Sequence, residues 1–120
     1  MKKIRVLLAN HPMMVPDTIR RLVEEQDDME VVGDCRGPMK ILQETGRANA
    51  DAVILAQEGT NEPGICSQLL SSYPDLIIMS VAQDLTTAVT FQLSSYRREF
   101  NNLCQEDIVQ RLREVTRIDH

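Results

Sequence analysis

The stretch that most restricts how this chain can fold is its first apolar run, Ile4-Arg5-Val6-Leu7-Leu8-Ala9, which stops at Asn10-His11-Pro12. A strand covered on both faces has this almost unbroken apolar character. The polar stop places Asn10 and His11 where open parallel sheets form their sites, at the carboxyl end of a strand.

The same pattern recurs down the chain. Val15, Ile19, Leu22 and Val23 have helical spacing, which predicts an amphipathic helix from about Met14 to Gln26. Met29 to Cys35 reads as a second strand. Gly37-Pro38 opens a second helix that closes near Gly46, proline suiting the first helical position. Ala52 to Ala56 is a third strand. Ile65, Leu69 and Leu70 mark a third helix ending at Tyr73-Pro74, and Leu76 to Val81 is a fourth strand. Strand and helix alternate with short connections, so the prediction is a right-handed α/β sandwich with a parallel sheet covered on both faces. In the last third, Leu85, Ala88, Val89 and Leu93 predict a fourth helix. Tyr96 to Phe100 predicts a fifth strand, charged as an exposed edge would be, and Glu106 to Thr116 predicts a closing helix.

Composition narrows the function. The chain has 120 residues, enough for one domain, taken here as 1–120. Its net charge of −5 argues against direct nucleic-acid binding, which needs a basic face, and an aromatic content of 3% leaves no stacking platform. Cys35, Cys66 and Cys104 are odd in number and widely spaced, as in a reduced cytoplasmic protein without a disulfide framework or zinc site. The first apolar run is too short for a signal peptide or a membrane span.

Ile4-Arg5-Val6-Leu7-Leu8-Ala9, Ile19-Arg20-Arg21-Leu22-Val23-Glu24, Glu30-Val31-Val32-Gly33, Asp51-Ala52-Val53-Ile54-Leu55 and Tyr73-Pro74-Asp75-Leu76 together resemble the receiver domain of two-component response regulators, in particular receivers joined to helix-turn-helix transcription regulators. The resemblance implies a flavodoxin-like, CheY-like fold: three αβα layers around a five-stranded parallel sheet in the order 2-1-3-4-5. It also implies a phosphorylation site, made of an acidic pair after the first strand, an aspartate ending the third, a Ser or Thr after the fourth and a Lys after the fifth. Clustered carboxylates hold Mg²⁺, and the metal and the Lys offset phosphoryl charge.

This sequence departs from that site almost throughout. Asn10 and His11 stand at the acidic pair, Ala56 at the phosphoacceptor and Asn101 (or Asn102) at the Lys, while Thr60 replaces a loop proline. Only Ser80 fits. The resemblance is therefore to a degenerate pseudo-receiver, with no catalytic residue, metal or cofactor. His11 could ligate a metal or act as a base, but it lacks partners, and filling the vacated pocket is the simpler role. Ser80 could be a nucleophile, against the plainer reading of a retained structural hydroxyl. Glu58 and Glu62 could hold a cation, against a solvated loop.

The implied function is signalling by protein contact, as a homodimer or with a partner, and not enzymatic. The face would be the fourth helix, fifth strand and closing helix, with Thr86, Thr90, Arg97, Arg98 and Glu99, in a stand-alone adaptor or the receiver of a longer transcription regulator. Two alternatives are a small-molecule sensor and phosphorylation at a displaced carboxylate, Asp51 or Glu58.

Overall fold

The computed structural model describes residues 3–59, 62–93 and 98–118, the side chains of 117 and 118 excepted. Along the chain run β1 (Ile4–Asn10), α1 (Asp17–Glu24), β2 (Met29–Arg36), α2 (Pro38–Arg47), β3 (Ala52–Ala56), α3 (Gly64–Ser72), β4 (Ile77–Val81), β5 (Ala88–Phe91), β6 (Arg98–Phe100) and α4 (Gln105–Ile118). One sheet collects the strands in the order β2-β1-β3-β4-β5-β6. The first four are parallel. β5 runs antiparallel to β4, and β6 antiparallel to β5.

Alternation along each strand sends side chains to two faces. Val6, Leu8, Ile54 and Met79 meet Ile19, Leu22 and Val23 of α1 and Ile108, Leu112 and Val115 of α4. Leu7, Ala9, Val53, Leu55 and Ile78 meet Ile41 of α2 and Ile65, Cys66, Leu69 and Leu70 of α3. Each fully buried Leu or Ile in these layers contributes about 1.5–3 kcal/mol by leaving water. This is the α/β sandwich that the apolar runs predict.

Polar contacts tie the layers at their ends. Arg113 of α4 donates to both oxygens of Asp28 (2.6 and 2.9 Å) and to Gln26 Oε1 (2.7 Å), fastening α4 to the α1–β2 turn. Tyr73 Oη donates to the Leu42 carbonyl at 2.7 Å, joining the end of α3 to α2. The close approach rests on Gly46, where a Cβ would sit 2.5 Å from the Tyr73 hydroxyl.

Two expectations are corrected. The sheet has six strands and is mixed, and the expected fourth helix is instead β5, all four of whose residues are buried. Ala88 and Val89 do suit a helix by spacing. The segment is nevertheless rich in β-branched and aromatic residues, Thr86, Thr87, Val89, Thr90 and Phe91, which favour a pleated surface. Residues 88–91 pair with β4 on one side and residues 88–90 with β6 on the other. Of the expected fifth strand, Arg98–Phe100 forms β6 at the sheet edge, while Tyr96 and Arg97 lie outside the described residues. The first helix also begins later than expected. Val15 precedes Pro16, which disfavours helical backbone there, so Met13–Val15 remain in the loop.

Candidate functional site

The carboxyl ends of the parallel strands are where this fold positions chemistry. Asn10 ends β1, and its whole amide is engaged. Nδ2 donates to Asp34 Oδ1 and to the Cys35 carbonyl at 3.1 Å, while Oδ1 accepts the Val15 N–H at 2.8 Å. Asn10 therefore binds the β2 end on one side and shapes the following loop on the other.

Asp34 is the one carboxylate the strands bring to Asn10, and it also pairs with Arg20 of α1. Partial burial pushes the Asp34 carboxyl up, but hydrogen bonds from Arg20 and Asn10 outweigh this and hold it below the ordinary value. A folded-state pKa below the unfolded one gives stability that is present above the unfolded value, about 3.9, and lost as pH falls through the folded one. The Asp34 side chain is 40% exposed, so salt weakens the effect. Asp34→Asn is expected to lower the urea midpoint at pH 7 and to converge with the wild type as pH falls below the ordinary carboxylate range. Parallel acid limbs for the two proteins would rule this contribution out.

The loop after Asn10 closes over the end of β3. Met13 forms an antiparallel bridge with Ala56, and Gln83 Nε2 donates to the Met14 carbonyl at 3.2 Å. Ala56 is fully buried, in one apolar cluster with Val15, Val81 and Leu85, against which Met13 packs. The carboxyl end of β3 is thus packed with hydrocarbon on its α1–α4 face. Gln57, next in the chain, is also buried, its N–H donating to the Val81 carbonyl at 3.1 Å. Among the described residues no group of three or more His, Cys, Asp or Glu is placed to hold a metal.

Ser80 and Asn101 do not gather around Ala56. His11 is half-buried in the loop. Ser80 is buried but pairs with Leu55 and Val89, so it points to the α2–α3 face, whereas Ala56 and Val81 point to the α1–α4 face. Asn101 is exposed beyond β6, and β6 lies three strands from β3, about 14 Å across the sheet. Asp51 lies at the opposite end of β3, accepting the Arg5 N–H at 2.9 Å, so it cannot replace an acceptor at Ala56.

The predicted contact face is also rearranged, since no helix lies between β4 and β5. Thr86 is exposed in the β4–β5 turn, its N–H and hydroxyl both donating to Asp84 Oδ1, at 3.0 and 2.8 Å. These bonds hold the Asp84 carboxyl below its ordinary value. Thr90 is buried opposite Met79 and offers no surface to a partner. Arg98 and Glu99 are exposed on β6, and Arg97 is outside the described residues.

Sequence reasoning missed Asp34, Gln57 and Gln83. Asp34 lies two residues before the end of β2, in register with Leu8 and not with Asn10, so strand ends alone did not point to it.

The chain is similar to the response regulator domain of Thermotoga maritima CheB, with 20% identity and a TM-score of 0.53 over 68% of this chain and 61% of that one. It is also similar to the Salmonella typhimurium RcsB response regulator, with 21% identity and a TM-score of 0.54 over 68% of this chain and 44% of that one. The fold is that of a response-regulator receiver. Less than two thirds of either receiver-containing chain is covered. No family model and no curated protein matches the sequence. Among the described residues of this receiver-fold chain, no helix is long and apolar enough to cross a membrane.

Proposed function

We propose that this receiver-fold chain is a non-enzymatic cytoplasmic signalling domain that acts by protein contact and without phosphoryl transfer. The observation carrying this reading is Ala56, a fully buried methyl group beneath Met13 where an acceptor carboxylate would be needed. Asn10 adds support, because its amide is spent on Asp34, Cys35 and Val15 and its oxygen is not turned toward a cation. Contact with a partner or a second copy takes place on the β5–β6 side, where Thr86, Arg98 and Glu99 are exposed. The same surface serves whether the domain stands alone or forms part of a transcription regulator.

The test is an amide NMR titration with Mg²⁺ and beryllofluoride, a mimic of an acyl phosphate. The expected result is no saturable shift at Asn10, Ala56 or Ser80 at any Mg²⁺ concentration. Saturable shifts at those residues would overturn the reading, because they require a carboxylate-bound metal.

A further inference from the structure

We infer that β5 and β6 form a ribbon that detaches from β4 as a unit while the β2-β1-β3-β4 sheet remains folded. Three independent observations meet at this ribbon. The first is its attachment. The ribbon joins the sheet along β4 alone, through Ile78–Phe91, Met79–Thr90, Ser80–Val89 and Val81–Ala88. Beyond β5 there is only the three-residue β6, whose outer edge has no strand partner among the described residues.

The second observation is Ser80. Its hydroxyl is buried, 2% exposed as a residue, and has no hydrogen-bond partner. Such a group forgoes the bonds it makes to water when open, so its burial beside Val89 works against closure. The third is Leu85 in the connecting turn. It is buried with a φ of +63°, a conformation that crowds a leucine side chain and that glycine or asparagine adopts more readily. Opening the ribbon hydrates the Ser80 hydroxyl and frees Leu85 to regain negative φ. Burial of Val89 and Phe91 opposes the opening, so the closed form dominates and the open one is a minor native state. The open state bares the β4 edge and puts a conformational step beside exposed Arg98 and Glu99.

Native-state hydrogen exchange in increasing urea tests this on the full chain. The amides of 88–91 are expected to exchange at least 100-fold faster than those of 53–55, with weak urea dependence, as in sub-global opening. A common rate and a common urea dependence for the two groups would overturn the inference. Ser80→Ala supplies a second readout. Removing the unpartnered hydroxyl is expected to slow exchange at 88–91 about tenfold. Unchanged or faster exchange there would overturn the role given to Ser80 and, with it, the inference.

Discussion

Ala56→Asp, which puts a carboxylate at the end of β3, is expected to destabilise the protein by about 3–5 kcal/mol at pH 7 and to gain no phosphoryl acceptance. Ala56 is fully buried against Met13, Val15, Val81 and Leu85. A carboxylate there would lose its hydration without gaining a cation, because its packing neighbours Met13, Val15, Val81 and Leu85 bring no charge to offset it. Desolvation raises the folded-state pKa of such a group above the unfolded value of about 3.9. The folded state then binds more protons than the unfolded one between those values, so the penalty grows as pH rises through that window and shrinks below about pH 4. Urea denaturation at both pH values reads this directly. Ala56→Asn, polar but uncharged, should cost less and show no such pH dependence. Wild-type stability for Ala56→Asp at pH 7 would mean that the Met13 loop lifts and that the site is not closed.

Gly46→Ala is expected to destabilise by about 1–3 kcal/mol, opposite in sign to the usual effect of this change inside a helix, which gains about 1 kcal/mol. The new methyl would lie 2.5 Å from the Tyr73 hydroxyl and 2.9 Å from Cε1. The ring cannot yield freely, because its hydroxyl is bonded to the Leu42 carbonyl at 2.7 Å. Combining the change with Tyr73→Leu should cost less than the sum of the two single changes, since the clash disappears with the ring. Thermal denaturation decides the point, and a higher Tm for Gly46→Ala alone would refute the close packing of α2 on the end of α3.

The parallel core was legible because β1, β3 and β4 are each short, nearly unbroken apolar runs, and only a strand covered on both faces explains such runs at that length. The burial of Ala56 was legible too, because it ends the third of these runs. The region from Leu85 to Phe100 was not. A strand buried on both faces has no alternation to reveal it, and Leu85, Ala88 and Val89 happen to fall at helical spacing. What makes that segment a strand is pairing with β4, a non-local fact absent from the local pattern. Ser80 shows the same limit: its identity could be read, but which face it takes follows from its register against Leu55 and Val89.

The short β6 edge also constrains the symmetry of any assembly. Two copies joined edge to edge in antiparallel fashion are related by a two-fold axis perpendicular to the sheet, which sets a central residue opposite its own image. Centred on Glu99, this arrangement faces carboxylate against carboxylate, and centred on Arg98, guanidinium against guanidinium, pairings that destabilise a ladder. Centred on Phe100, ring faces ring and neither like-charge pair forms, so charge selects the register in which a second copy can add to this edge.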